Sequence, residues 1–291
     1  MNLFEADLDL NLPQVEEIVK RALAEDIGSG DITTSLTVPP ESICRAQIVA
    51  KEEGVIAGLD VAALVFAQVA ERYSGTEPAF RSGIADGSSV HSGDVIAEIT
   101  GSTAVVLTGE RTALNFLQRM SGIATKTAGL VELVKQNGAK VTDTRKTTPG
   151  LRILEKYAVR VGGGWNHRFG LYDAVLIKDN HIRAAGGIKE AIRVAKSGAP
   201  QGMKIEVEAD TVEQVKLALE AGAEAILLDN MDLAALREAV ALCKGKAVTE
   251  ASGGVTEENI AAVAETGVDL ISVGALTHSA KALDLSLEIV G

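Results

Sequence analysis

Between Pro13 and Asp26 the apolar residues Val15, Ile18, Val19, Ala22 and Leu23 recur at helical spacing, which predicts a helix. The segment EDIGSGDITT, 25–34, breaks it with two glycines. Cys44 to Lys51 then alternates apolar and polar positions, and Val55 to Ala57 continues after a Glu53-Gly54 turn, so two short strands are expected. Asp60 is placed to cap a helix running through Ala70, and Val90 to Gly101 again reads as strand. Thr108 to Gln136 reads as one long helix with Leu114, Leu117, Met120, Ile123 and Leu130 on its apolar side.

Beyond this helix the rhythm changes. Apolar runs recur and each ends in polar residues: AKVTDTRK (139–146), DAVLIKDN (173–180), KIEVEAD (204–210), AILLDNM (225–231), KAVTEASGG (246–254) and DLISVGA (269–275). The last four begin 21 to 23 residues apart, room for one strand and one helix each. Alternating βα units imply parallel strands joined by right-handed crossovers. The expected fold is therefore α/β, with a small α+β domain over 1–108, an α/β barrel over 109–275 and a C-terminal helix over 276–291 that packs back on the first domain. A doubly wound sheet fits less well, because no GxGxxG follows any strand and Gly162-Gly163-Gly164 lacks that spacing.

The chain has 291 residues, which suits two domains. Only 3% are aromatic, and the net charge is −12; both oppose nucleic-acid binding. Cys44 and Cys243 show no metal-ligand spacing and read as free thiols of a reducing, cytoplasmic compartment. MNLFEADLDLNL lacks the basic start of a signal peptide, and the apolar run Val61 to Ala70 is too short to span a bilayer.

Charge is unevenly placed. From Arg145 to Arg183 the chain carries eight Lys or Arg against Glu155, Asp173 and Asp179, five surplus positive charges in an acidic protein. Arg152, Lys156 and Arg160 have the spacing of a solvated helix face, whereas Arg145, Lys146, His167, Arg168 and Lys178 lie at strand ends or in a Gly-rich loop. The latter group suits a small anionic substrate. Of the other histidines, His91 and His278 sit at turns and read as structural, and His181 fits either role.

In KIEVEAD, Glu206 and Glu208 share one strand face while Ile205 and Val207 share the other. In a parallel barrel the charged face points inward, where it needs partners, a metal or a cationic ligand. An interior Lys–Glu layer is the structural alternative, strongest for Glu206. Asp229 ends the next strand and can stand beside Glu208, a pair able to hold Mg²⁺ through oxygen. Ser252-Gly253-Gly254 and Ser272-Val273-Gly274 follow the last strands and each precedes a helical pattern, as phosphate loops do.

These stretches, together with GERTALNFLQRMSGIAT (109–125), the run from DTRK to NHI (143–182) and EDIGSGDITT, resemble quinolinate phosphoribosyltransferase over nearly the whole chain. The resemblance implies a small N-terminal α/β-sandwich domain, an open, TIM-barrel-like α/β barrel, and a homodimer or higher oligomer with active sites shared across the interface. It implies a decarboxylating transfer of phosphoribose from phosphoribosyl pyrophosphate to quinolinate in NAD biosynthesis. Quinolinate would meet Arg145, His167, Arg168 and Lys178, with Arg111 reaching in from the partner chain. Phosphoribosyl pyrophosphate would meet Lys146 and Lys178, Mg²⁺ would sit near Glu208 and Asp229, and the 5-phosphate would rest on Ser252, Gly253, Ser272 and Gly274, with Thr144, Gly254 and Val273 also in the substrate-binding set. Glu208, Asp229, Lys146 and Lys178 would carry the catalysis. The competing readings are a phosphoribosyltransferase paralogue of the same fold, among them a nicotinate-specific one, and a non-catalytic phosphometabolite-binding barrel.

Overall fold

The computed structural model describes residue 10 and residues 13–73 and 76–290; most of the acidic segment 1–12, read above as lacking a leader, lies outside them. The chain divides into two compact units. Of the described residues, one holds 10, 13–73, 76–128, 148–163 and 279–290; the other holds 129–147 and 164–278.

The first unit opens with a helix over Pro13–Ile27 whose buried Val15, Ile18, Val19 and Leu23 are the positions of the apolar spacing. Strands β1 (Ile43–Ala50), β2 (Gly54–Val55), β3 (Ala79–Ser82), β4 (Ser89–Val90) and β5 (Val95–Ser102) follow, with a helix over Leu59–Arg72 after β2. β1 alternates exposed and buried positions as a half-covered strand should. Asp60 falls inside the first helical turn rather than at its cap. The cap is Gly58, at φ 104°, and Asp86 from a distant turn accepts the Gly58 and Leu59 amides at 2.8 and 3.2 Å. A carboxylate brought by tertiary folding has replaced the local one.

The long helix covers Thr103–Val134. Further helices include Arg152–Val161, which belongs to the first unit and buries Lys156 completely. The surplus of positive charge between Arg145 and Arg183 is therefore divided between the units: Arg152, Lys156 and Arg160 go with the first, Arg145, Lys146, Arg168, Lys178 and Arg183 with the second.

The second unit is built on six parallel strands, β6 (Lys140–Thr142), β7 (Val175–Ile177), β8 (Ile205–Ala209), β9 (Ala225–Asp229), β10 (Val248–Ser252) and β11 (Leu270–Ser272). Their order is β6-β11-β10-β9-β8-β7, so β6 and β7 are the two edges of a curved, open barrel sheet. Helices Ile188–Gly198, Val212–Glu220 and Leu233–Cys243 return the chain between strands. Thr211 and Asp232 cap the latter two, their side chains accepting from Gln214 and from Ala234 and Ala235. Val207, Ile226 and Leu228 are buried apolar residues of the strands; Glu206, Glu208 and Glu250 are buried with them.

The helix expected over 276–291 is not what forms. A four-residue helix, Ala275–His278, is followed by strand β12 (Leu285–Ile289), which pairs antiparallel with β1 and completes the sheet order β12-β1-β5-β3. LSLEI alternates apolar and polar residues, a period-two pattern suited to a sheet edge.

Candidate active site

The carboxyl ends of the parallel strands and the Gly-rich loop bring together residues from seven separate stretches of sequence. After β6, Asp143 is fully buried and accepts from Asn166 Nδ2 at 2.6 Å and from the His167 amide at 2.9 Å. This fixes the Gly-rich loop against the end of β6. Thr144 Oγ1 accepts the Lys146 amide at 3.0 Å, and Thr277 Oγ1 donates to the Lys146 carbonyl at 2.8 Å. The Lys146 stem then passes over Gly274, where an added Cβ would lie 3.1 Å from its Cδ.

Arg168 is almost completely buried. Its Nη1 donates to the Ala174 carbonyl at 3.0 Å, while its buried Nε has no hydrogen-bond partner among the described residues. Burial, and then the positive charge of Arg145, hold its guanidinium below the usual arginine range. A buried guanidinium with a donor to spare and a second positive charge near enough to act on it calls for an anion.

Lys178, after β7, donates from Nζ to Glu208 Oε2 at 3.0 Å. The next position at the end of β8, Asp210, stands with Glu208 and Asp229 so that one carboxylate oxygen from each lies within 4.8 Å of the others. Asp210 was not foreseen among the site residues, although it closes the same IEVEAD run; burial and the charges of Glu208 and Asp229 raise its pKa. Three carboxylates on neighbouring strand ends are the hard oxygen donors that Mg²⁺ prefers, so the residues fit that ion. Asn230, at φ 52°, donates from Nδ2 to Asp229 Oδ2 at 2.6 Å, and its amide donates to the Ser252 carbonyl at 2.8 Å.

Ser252 pairs in register with Asp229, which sets the first small loop beside the acidic group. Gly253 and Gly254 take φ 93° and 61°, and a Cβ on Gly253 would collide with the Asn230 side chain. In the second loop Ser272 is buried and the Val273 amide already donates to the Thr142 carbonyl at 2.9 Å. The helices after the loops, Ile260–Ala264 and Ala275–His278, are only five and four residues long. Any anion held there is held by loop amides and hydroxyls, since so short a helix has little dipole.

His167 is 6% exposed and turned into the barrel. Its Nδ1 accepts the Arg168 amide at 2.8 Å and its Nε2 lies 3.0 Å from Glu206 Oε2. Both ring nitrogens thus have partners inside the protein. His181 accepts the Lys178 amide at Nδ1, 2.9 Å, and is a helix-capping residue. Arg111 belongs to the other unit, where it is exposed on the long helix.

Two family models match this chain: the C-terminal domain of quinolinate phosphoribosyl transferase over residues 123–288 and its N-terminal domain over residues 31–121. The chain belongs to the quinolinate phosphoribosyltransferase family. Among its relatives, the probable nicotinate-nucleotide pyrophosphorylase (carboxylating) of Bacillus subtilis (strain 168) is 46% identical, with 96% of this chain and 95% of the relative covered. The enzyme of that name from Mycobacterium leprae (strain TN) is 45% identical, covering 97% and 99%. The crystal structure of NadC from Streptococcus pyogenes, 42% identical, superposes with a TM-score of 0.91 over 99% of this chain and 100% of that one. Human nicotinic acid phosphoribosyltransferase, 14% identical at a TM-score of 0.61, shares the fold alone. Asp210, Glu250 and Asn230 lie inside or beside the family stretches IEVEAD, EASGG and LLDN, and only their tertiary neighbours distinguish them from ordinary strand-end residues.

Proposed function

We propose that this chain transfers phosphoribose from 5-phosphoribosyl-1-pyrophosphate to quinolinate, releasing pyrophosphate and carbon dioxide and leaving nicotinate mononucleotide for NAD biosynthesis. The observation that supports the substrate assignment is the buried Arg168, whose Nε has no partner among the described residues and which feels the positive charge of Arg145, in a unit whose strand ends also hold Lys146 and Lys178. Quinolinate brings two carboxylates. Arg168 and Arg145 supply planar forks for them and Lys178 a point charge. With both His167 nitrogens occupied, that residue orients Arg168 and makes no substrate contact of its own.

The pyridine nitrogen attacks the anomeric carbon as the bond to pyrophosphate breaks, and positive charge develops on the sugar. Glu208 and Asp229 stabilise that charge in this reading, and Lys146 and Lys178 neutralise the departing phosphates. Glu208 and Asp229, with Asp210 beside them, would hold Mg²⁺, which would supply Lewis-acid neutralisation of the pyrophosphate. The ribosylated ring nitrogen is cationic, so the adjacent carboxylate leaves as carbon dioxide and the pyridinium stabilises the carbanion until it is protonated. The 5-phosphate takes Ser252, Gly253 and Gly254 and the Ser272–Gly274 loop. Both cysteines are free and buried, in keeping with a cytoplasmic enzyme.

Measuring carbon dioxide and pyrophosphate from quinolinate plus phosphoribosyl pyrophosphate tests the reaction. Release of both in equal amounts is expected; turnover of nicotinate in place of quinolinate overturns the assignment. Arg111 completing the partner's site is tested by mixing inactive Arg111→Ala and Lys146→Ala proteins under subunit exchange. Half of a statistical mixture is heterodimer, with one intact site in two, so activity returns to roughly one quarter of wild type. No recovery with proven exchange removes Arg111 from the shared site.

A further inference from the structure

Beneath Arg168, in the barrel interior, three titratable side chains meet that touch no substrate in the reaction above: His167, Glu206 and Glu250. One ligand atom from each lies within 4.8 Å of the others, and both glutamates are 1% exposed. Glu206 Oε2 is 3.0 Å from His167 Nε2, and Glu250 Oε2 is 3.5 Å from the same nitrogen. As a carboxylate, Glu250 has no hydrogen-bond partner for either oxygen among the described residues. The groups that face it are Glu206 from β8, His167 from the Gly-rich loop, Ser272 from β11 and Asp143 from the end of β6. Leu227 and Leu270 flank it on the neighbouring strands.

The hydrogen-bond pattern decides what the cluster holds. The Arg168 amide donates to Nδ1, so Nδ1 keeps its lone pair and the ring proton is on Nε2, where it is donated to Glu206. A metal ion in the cluster would need a second lone pair, on Nε2, and hence an imidazolate; the site is not a metal site. Two ionised carboxylates at this depth would repel each other without water to screen them. One proton on Glu250 turns that repulsion into a hydrogen bond to Glu206.

The geometry points to Glu250 as a neutral, proton-holding positioning residue: it donates to Glu206, Glu206 accepts from both Glu250 and His167, and the locked His167 ring carries the Arg168 amide and so sets Arg168 for its anion. The buried negative charge under Arg168 is then one, not two, and the positive potential of the Arg145–Arg168 pair stays available to a ligand. Burial, followed by the charge of Glu206, pushes the Glu250 carboxyl up to about 8, in keeping with this state. The protonation does not depend on the proposed reaction; its effect on quinolinate does.

Three measurements test it. In protein labelled with ¹³C at the glutamate carboxyls, the resonance missing from Glu250→Gln should titrate near pH 8; titration in the ordinary range of about 4.5 overturns the proposal. Long-range ¹⁵N–¹H spectra of the wild type should show His167 as the Nε2–H tautomer at pH 7, and the Nδ1–H form or an imidazolium overturns it, whether or not the variant folds. Quinolinate affinity, measured by calorimetry without the second substrate, should weaken about tenfold from pH 7 to 9 in the wild type, the effect of one added charge near Arg168, and show no such loss in Glu250→Gln. Equal slopes overturn the link to Arg168. A wild type that does not bind quinolinate at all defeats the proposed function and leaves the first two results to decide the pair.

Discussion

Glu206 and Glu208 are two residues apart on one strand and on the same face, yet they belong to two acidic clusters with opposite solutions to the same electrostatic problem. At the rim, Glu208 meets Lys178 and the carboxylates of Asp210 and Asp229. In the interior, Glu206 meets His167 and a second glutamate, with burial raising its pKa to about 7. The rim cluster is open enough for a lysine and, in the proposed function, a cation to balance it. The interior cluster is balanced by protons. Depth along a strand, one pleat repeat of about 7 Å, separates the two clusters.

The sharpest way to break this contrast is to neutralise the rim. Glu208→Gln and Asp229→Asn should each lower turnover by about 10² or more while leaving quinolinate binding nearly intact, measured by single-turnover kinetics and calorimetry. Unchanged turnover in both would make the rim cluster as structural as the interior one. Chelation with EDTA should abolish turnover of the wild type and added Mg²⁺ should restore it; full activity in a chelated, metal-free preparation would take the cation out of the rim cluster.

The interior responds to pH instead. Glu250 binds its proton more tightly folded than unfolded, so between about pH 4.5 and 8 the folded state holds more protons and stability falls as pH rises. Glu250→Gln removes that loss. Its melting temperature should exceed that of the wild type by a few degrees at pH 8.5 and by less at pH 6. A Glu250→Gln protein that melts lower than the wild type at both pH values would show that the interior needs two charges.

The smallest effect is expected at Asn230, which joins Asp229 to the Ser252 loop from a left-handed backbone. Asn230→Gly keeps that backbone without strain and loses only the side chain, so turnover should fall several-fold with little change in melting temperature. Asn230→Ala should fall further and melt lower, because it adds about 1 kcal/mol or more of backbone strain. Equal behaviour of the two variants would show that the left-handed conformation is unimportant to Asp229.

The repeating apolar runs with polar ends determined the parallel α/β unit, and the inward charge of KIEVEAD followed from the alternation of strand side chains. The family and the reaction class were legible for the same reason, as was the placing of Arg145, Lys146, Lys178, Glu208 and Asp229 at strand ends: they lie in continuous stretches whose spacing survives without the fold. Tertiary structure decided the rest. Asp86 caps a helix 28 residues before it in place of Asp60, and β12 leaves the barrel to pair with β1. His167, read from the sequence as a substrate-binding residue, faces Glu206, 39 residues away. Local sequence sets which side of a strand a residue occupies, because that needs only backbone geometry. Whether a buried carboxylate keeps its charge depends on groups brought from other strands within a few ångströms, and those distances exist only after the sheet has closed around them.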